Sequence, residues 1–257
     1  MKPVFPYPGG KSKLLSEILP LIPRTAHTFV EPFSGGLAVL LAHETPFTRE
    51  VVNDIDTGLI DFYRCATAHP SALLAELRLK IASREEFDAE VAAEPRTQLQ
   101  RAARWYFLTR QSFGAQRETY GRGKDMFHGV DVAREAPSFT ALSKRLQNAI
   151  FTNTDALECI RNFDSPDTFF FCDPPYVSCG RTAYRAFSED SMTALRDVLS
   201  SVKGKWILTC DDSPQTRRIF ADFPLRETRI KYSITRNSCG AISRELIVLP
   251  KTFDTSS

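Results

Sequence analysis

Hydrophobic positions along the chain change between short apolar runs and helical spacing, in an order that predicts an α/β fold. TFVEPF (28–33) is typical of a buried strand, LAVLLAHE (37–44) of an apolar helix and REVVND (49–54) of a second strand. TGLIDFYRCA (57–66) follows with apolar residues on one helical face. A strand, a glycine turn, a helix and another strand begin a βαβ unit, so we expect parallel strands.

The C-terminal part of the chain continues this alternation. Apolar runs predict strands at 149–153, 168–173 and 205–210, and helical patterns predict helices at 155–163, 188–201 and from Pro214 onward. Ser188 is predicted to be the N-cap of the helix at 188–201. Two last strands, at 225–234 and 243–250, are expected to pair as a hairpin. The pattern therefore predicts a mostly parallel α/β sheet with an antiparallel end.

Residues 67–148 interrupt the alternation. They begin with two helical stretches, at 70–83 and 99–110, and continue into the glycine- and arginine-rich stretch QSFGAQRETYGRGKDMFHG. Such a length is too great for an ordinary connection between strands. We therefore expect one domain formed by residues 1–66 and 149–257, with an inserted, mainly helical domain at 67–148.

Composition is ordinary for a globular protein, with 42% hydrophobic and 25% charged residues in 257. The longest aliphatic run, Leu37 to Ala42, is much shorter than the roughly 18–20 residues that span a bilayer. The first ten residues contain no apolar signal core, so we expect a cytoplasmic protein with no membrane partner. Six cysteines without a CxxC pair predict reduced thiols, and four scattered histidines predict no metal site.

The net charge of +2 at first argues against a nucleic-acid partner, but the charge is unevenly distributed. Residues 96–147 contain ten Lys and Arg against four Asp and Glu, a net +6, which leaves −4 for the rest. Aromatic residues are interleaved with these charges, and Trp105, Tyr106 and Phe107 are expected in a helix core. The candidates for nucleic-acid contact are Arg110, Arg117, Tyr120, Arg122 and Lys124. A solvated basic loop is the alternative.

Two groups of residues follow the first two predicted strands. In FVEPFSGG, Gly35 and Gly36 allow a ligand close to the backbone, and Glu31 can accept a hydrogen bond from an ammonium group but would repel a phosphate. A plain strand–helix turn is the alternative. Asp54 ends the second strand, where a carboxylate can bind a ribose diol, and Asp56 is better explained as an N-cap.

A glycine pair near the N-terminus resembles a phosphate-binding loop only superficially. In PYPGGKSK the first glycine of that pattern would fall at residue 5, which is Phe, and no strand precedes it. Lys11 can instead bind a small carboxylate, or it can be an exposed surface lysine.

The most specific pattern is FFFCDPPYVSCG (169–180), in which a buried strand ends in Asp-Pro-Pro-Tyr. Two prolines remove N–H donors and leave carbonyl acceptors. Asp173 adds a carboxylate and Tyr176 a flat ring. Acceptors beside an aromatic face suit an exocyclic amino group on a planar base. A structural turn is the alternative, although a turn does not require this combination.

DPPY, together with PYPGGK, FVEPFSGG and NDID in this order, resembles the Dam-type, D12-class DNA adenine-N6 methyltransferases over nearly the whole chain. The resemblance implies a Rossmann-like methyltransferase sheet with a target-recognition domain at 67–148. It also implies transfer of a methyl group from S-adenosylmethionine to the 6-amino group of a flipped-out adenine in double-stranded DNA. Relatives that read GATC carry a different segment where this chain has TRQSFGAQRETYGR, so a GATC site is not implied.

The resemblance also implies roles for individual residues. The residues that match the contacts to the methionine end of the donor are Tyr7, Gly10 and Lys11. The residues that match the donor-binding turn are Glu31, Phe33, Gly35 and Gly36. Asp54 matches the residue on the ribose, and Asp155 matches the residue that reaches the donor's adenine ring, here followed by Ala156 where many relatives have an aromatic residue. The catalytic loop matches Asp173, Pro174, Pro175 and Tyr176.

Three other functions compete with this interpretation. An RNA adenine methyltransferase would use the same chemistry, and a regulator that has lost catalysis would keep only the nucleic-acid binding. A nicotinamide-dependent dehydrogenase would need the GxGxxG fingerprint, which this chain does not contain. The oligomeric state is left open by the sequence.

Overall fold

The computed structural model describes residues 1–121, 130–176, 187–231 and 242–251. The chain forms two units, each assembled from three segments. The first unit comprises Met1–Ser12, Gly35–Glu44 and Asp54–Asn153. The second comprises Lys13–Ser34, Thr45–Asn53 and Thr154–Ser257. The first unit therefore contains all of the predicted insertion together with residues that precede it in the chain.

The described part of the chain contains seven strands. They are β1 (Thr28–Glu31), β2 (Arg49–Asn53), β3 (Ile150–Thr152), β4 (Thr168–Cys172), β5 (Lys205–Asp211), β6 (Leu225–Lys231) and β7 (Ile242–Val248). Six of them belong to the second unit, in the order β2-β1-β4-β5-β7-β6, and β3 belongs to the first. The strand pairs β1/β2, β1/β4 and β4/β5 are parallel, whereas β5/β7 and β6/β7 are antiparallel. The predicted mostly parallel sheet with an antiparallel end is confirmed.

The central strands are buried on both faces, which explains why the sequence there is almost continuously apolar. Every residue of β1 and β4 is buried. Val30 pairs with Val51 on one side and Phe170 on the other, and Phe171 pairs with Ile207. Because parallel strands end at the same edge of a sheet, this register brings the carboxyl ends of β1, β4 and β5 to one edge.

The helices alternate with the strands as predicted. They are α1 (Leu15–Ile18), α2 (Ala38–Ala42), α3 (Thr57–Ala68), α4 (Pro70–Arg78), α5 (Arg84–Ala92), α6 (Gln98–Gln111), α7 (Val132–Leu146), α8 (Ala156–Phe163), α9 (Glu189–Ser201) and α10 (Pro214–Ile219). The apolar spacing of KSKLLSEIL (11–19) also predicts a helix, but the helix formed there is shorter than that pattern indicates. It consists of the single turn α1 between 3-10 turns at Lys11–Lys13 and Leu19–Leu21, because Pro20 lacks the N–H that a continuing helix needs.

The core of the second unit lies between the sheet and helices α8, α9 and α10. Met192, Leu195 and Leu199 from α9 pack with Ile160 of α8 and Phe170 of β4. The N-cap predicted at Ser188 is confirmed, since its hydroxyl accepts a hydrogen bond from the backbone N–H of Ser191 at 3.0 Å. Such a cap stabilises a helix by about 1 kcal/mol.

The first unit is built around aromatic residues. Phe62 of α3 stacks on Tyr106 of α6 with ring centroids 5.2 Å apart, and Phe5 packs edge-on against Phe62 and Trp105. Trp105, Tyr106 and Phe107 are all buried, so the prediction that they form helix core is confirmed. In the described residues no helix is long and apolar enough to cross a membrane.

Candidate active site

The Asp-Pro-Pro-Tyr loop leaves the sheet at the end of β4. The Asp173 carboxylate is half-buried, and its Oδ1 accepts a hydrogen bond of 2.8 Å from the Thr209 hydroxyl. Thr209 is fully buried on β5, directly beyond the Cys172–Leu208 pair of the β4/β5 ladder. A buried neighbour that donates to one oxygen limits the rotamers that the carboxylate can adopt. Thr209 was not among the predicted site residues, because only the strand register reveals it.

The other three residues of the loop differ in how deeply they are buried. Pro174 is buried, whereas Pro175 and Tyr176 are half-buried. Burial raises the pKa of the preceding Cys172 well above its ordinary value, so this thiol stays protonated and is a poor nucleophile. Cys179, which follows the loop, lies outside the described residues. The chemistry available here is that of hydrogen-bond acceptors beside an aromatic ring.

The turn after β1 is held by a buried asparagine of β2. Asn53 donates from Nδ2 to the carbonyls of Pro32 and Thr154, at 2.9 and 3.1 Å, and its Oδ1 accepts the Thr154 N–H at 3.1 Å. Glu31 is buried at the end of β1, and the Phe33 ring meets Phe187 edge-on at 5.8 Å. Asn53 is a second residue that the sequence did not identify, although it lies within the NDID motif.

In the first unit, the PYPGGK segment forms a tight turn. The Gly10 N–H donates to the Tyr7 carbonyl at 3.1 Å, with Pro8 and then Gly9 at the two central positions. Gly9 has a φ of +73°, as a type II turn requires at its third residue. The turn leads into Lys11, which is buried and donates to the Gly9 carbonyl at 2.7 Å. Lys11 is therefore not the exposed surface lysine of the alternative interpretation.

Gly35 and Gly36 lie against the Tyr7 side chain. A Cβ on Gly35 would lie 2.7 Å from Tyr7 Cε1, and one on Gly36 would lie 3.1 Å from Tyr7 Cβ. Gly35 also has a φ of +43°. Any larger residue at 35 would displace the tyrosine, so the glycine pair permits a close approach of backbone and ring. The Tyr63 hydroxyl further anchors this turn by donating to the Gly35 carbonyl at 2.7 Å.

Asp54 is buried and held by backbone amides. Its Oδ2 accepts the Gly35 N–H at 3.1 Å, and its Oδ1 accepts the Asp56 N–H at 3.0 Å. A carboxylate offers about four acceptor positions, so about two remain. Burial raises the pKa of Asp54 from 3.8 to about 6, and the nearby Asp56 charge acts in the same direction.

Two other predicted residues are helix N-caps. Asp155 is exposed, and its Oδ1 accepts the N–H groups of Leu157 and Glu158 at 2.9 and 3.3 Å. Asp56 caps α3 by accepting from Gly58 and Leu59, at 3.0 and 3.2 Å. The N-cap expected at Asp56 is confirmed.

Similarity to known proteins decides the family. The family model for D12 class N6 adenine-specific DNA methyltransferases matches residues 7–234. The chain belongs to this family. It is 24% identical over 257 residues to the type II methyltransferase M.CviBI of Paramecium bursaria Chlorella virus NC1A, covering 96% of each chain. It is 27% identical to a DNA adenine methylase of Vibrio cholerae, covering 90% of this chain and 89% of the relative. It is 24% identical to the type II methyltransferase M1.LlaDCHI of Lactococcus lactis subsp. cremoris, covering 88% and 87%.

The D12-class assignment confirms the predicted fold and activity. The protein is an adenine-specific DNA methyltransferase that acts at specific sites and uses S-adenosylmethionine as its methyl donor. Among the described residues, no three His, Cys, Asp or Glu side chains are grouped so as to hold a metal ion.

The residues predicted to contact DNA are distributed over the C-terminal half of the insertion. Arg110 lies 3.3 Å from the Glu135 carboxylate, and the Tyr120 ring packs 5.5 Å from Phe87. Arg117 forms an ion pair with Asp56. These described side chains thus have contacts within the first unit. Arg122 and Lys124 lie outside the described residues.

Proposed function

We propose that the Asp173–Tyr176 loop binds the target adenine after the base has been flipped out of double-stranded DNA, and that this loop carries the catalysis. The observation that carries the proposal is the Asp173 carboxylate, oriented by buried Thr209 at the end of β4 and followed by two prolines. The target amino group is inaccessible inside a duplex, so flipping is required at a cost of a few kcal/mol. Stacking on Tyr176 offsets part of that cost.

The chemical difficulty lies in the nucleophile. The lone pair of adenine's amino nitrogen is delocalised into the ring, so the nitrogen is a weak nucleophile. The Asp173 carboxylate and the Pro174 carbonyl accept hydrogen bonds from the two N–H groups of this amino nitrogen. These hydrogen bonds localise the lone pair on nitrogen. The donor, when bound, supplies a methyl group activated by a cationic sulfur. Fixed acceptors of this kind contribute by positioning and by stabilising the positive charge that develops on nitrogen.

Donor binding is assigned to the residues that match the donor-binding motifs of the family. In the first unit, Asp54 has acceptor positions left for a ribose diol, and the glycine turn beside Tyr7 allows close backbone approach. The ammonium group of buried Lys11 is opposite in charge to the donor's carboxylate and is assigned to bind it. The assigned residues of the first unit are Tyr7, Gly10, Lys11, Gly35, Gly36 and Asp54. Those of the second unit are Glu31, Phe33 and Asp155.

The two predicted domains receive separate roles. Residues 1–66 and 149–257 form the catalytic domain, and residues 67–148 recognise the DNA target. The basic segment 96–147 provides cations for the phosphates. We propose that four of the predicted residues contact DNA, namely Arg110, Tyr120, Arg122 and Lys124. We place the enzyme in the cytoplasm of a bacterial or phage-infected cell.

The proposal is tested with duplexes that differ in how easily the base is flipped. N6-methyladenine is first mapped in plasmid DNA from cells that express the enzyme, which identifies the methylated site. Oligonucleotides containing that site are then used as the matched duplex, as a duplex mismatched opposite the target adenine, and as RNA. We expect tighter binding of the mismatched duplex, because unpairing the adenine costs less. Equal affinity for both duplexes, or preferred methylation of RNA, would contradict the proposal.

A further inference from the structure

Arg117 of the insertion reaches the loop that follows β2. Its Nη2 lies 2.7 Å from Oδ2 of Asp56, and only 18% of its side chain is exposed. The same Asp56 oxygen accepts the Trp105 Nε1–H at 2.9 Å. The Arg117 guanidinium also lies over the Trp105 ring, 5.0 Å from its centroid. An arginine, a carboxylate and an indole therefore form one cluster.

This cluster adjoins the proposed ribose-binding residue. Asp56 donates its backbone N–H to Oδ1 of Asp54, while the Asp56 carboxylate is engaged by Arg117, Trp105 and the start of α3. The Asp56 side chain thus determines where its own N–H points. The charged groups that act on the Asp54 carboxylate are Asp56, which is of like charge, and Arg117, which is of opposite charge.

The chain adopts unfavourable conformations to place Arg117 there. Arg117 has a φ of +64° and Ala115 a φ of +60°, in the left-handed region that residues with a side chain rarely adopt. Arg117 Nη1 is buried and, within the described chain, has no hydrogen-bond partner. A Cβ at Gly58 would lie 2.5 Å from Trp105 Cδ1, so the indole can occupy this place only beside a glycine. Backbone strain that persists is often connected with function.

We infer that Arg117 and Asp56 are positioning residues for donor binding, which together orient the Asp54 carboxylate toward the ribose. This inference rests on the proposed role of Asp54. It assigns Arg117 to the support of the donor site, whereas the sequence pattern predicted a contact with DNA. To meet a phosphate, the guanidinium would have to leave both Asp56 and Trp105.

The test compares matched variants by titration calorimetry with S-adenosylmethionine in the absence of DNA. Arg117→Gln should weaken donor binding about tenfold, because a charge-assisted bond that orders the Asp54 loop is lost. Arg101→Gln is the control, since Arg101 also joins the insertion to α3, through an ion pair of 2.6 Å with Asp61. It should leave donor affinity within about twofold of the wild type. Thermal melting of each variant shows that it is folded.

Asp56→Asn tests the pair from its other side. Asparagine still caps a helix but cannot form an ion pair with Arg117, so this variant should lose as much donor affinity as Arg117→Gln. The double variant should lose little more, because the two residues act through one contact.

Dependence on pH separates positioning from a merely structural role. Wild-type donor affinity should fall as the pH drops through about 6, where Asp54 becomes protonated. Loss of the Arg117 charge raises the pKa of Asp54 further, so in Arg117→Gln the fall should begin at a higher pH. An unchanged donor affinity and pH midpoint in this variant would overturn the inference. A loss of DNA binding alone would also overturn it and would show that Arg117 contacts DNA, as the sequence pattern predicted. Wild-type protein that binds no donor would refute the proposed donor site itself.

Discussion

Asp54 and Asp173 both follow a parallel strand of the sheet, yet their surroundings differ in a way that matches different tasks. Asp54 is buried and held by two backbone amides, and burial raises its pKa to about 6. Asp173 is half-buried, and its Oδ1 accepts a hydrogen bond from a side-chain hydroxyl, that of Thr209. Two carboxylates in equivalent places of the topology can therefore serve as a fixed anchor for a ligand and as an accessible acceptor for a reacting group.

The largest expected effect comes from removing the acceptor. Asp173→Ala should lower methyl transfer by at least about 10³-fold, because the amino group loses the acceptor that localises its lone pair. Labelled methyl transfer to DNA measures this, and calorimetry should show donor affinity within about twofold of the wild type. Substantial turnover by this variant would show that Asp173 is not the acceptor for the amino group. A parallel loss of donor binding would show that Asp173, like Asp54, serves donor binding.

The anchor should behave in the opposite way. Asp54→Asn should weaken donor binding by about tenfold to a hundredfold, since a carboxylate–hydroxyl bond contributes more than its amide replacement. Turnover at saturating donor should change much less. Steady-state kinetics separate the two quantities. A variant with normal KM for the donor and a low kcat would show that Asp54 serves the chemistry instead.

A smaller effect is expected from the residue that orients the acceptor. Thr209→Val keeps the shape but removes the hydroxyl bonded to Asp173, and should lower kcat about tenfold without changing donor affinity. Thr228→Val is the matched control, because the Thr228 hydroxyl is buried on β6 and has no hydrogen-bond partner among the described residues. Equal activity of both valine variants would show that Asp173 is oriented by other contacts.

The smallest change is expected at a third acid at the same edge of the sheet. Asp211 ends β5, and neither of its buried oxygens has a hydrogen-bond partner in the described part of the chain. Asp211→Asn should therefore raise the melting temperature by roughly 2–6 °C, since it removes an unpaired buried charge. Asp212→Asn should lower it, because Asp212 accepts hydrogen bonds from Arg217 that lower the pKa of its carboxyl group. A lower melting temperature in Asp211→Asn would mean that the carboxylate is stabilising where it lies.

Much of this comparison was visible in the sequence. The motifs at the ends of β2 and β4 predicted which acids follow parallel strands, and Asp56 was identified as a helix cap. The sequence did not show that Thr209 lies beside Asp173, 36 residues away, because the register of β4 and β5 depends on how the sheet packs. It did not show the Arg117–Asp56 pair either, since charge patterning alone does not separate a cation for DNA from one paired within the protein.

The sequence by itself determined the order of strands and helices, the caps, the tight turns and the set of acceptors in the DPPY loop. These features depend on the preferences of neighbouring residues, so a local pattern suffices. Only the tertiary structure decided which oxygens of Asp54 and Asp173 are occupied, that Lys11 is buried and which carboxylate holds Arg117. Burial and hydrogen bonding between distant segments set those properties, and they arise only when the chain packs.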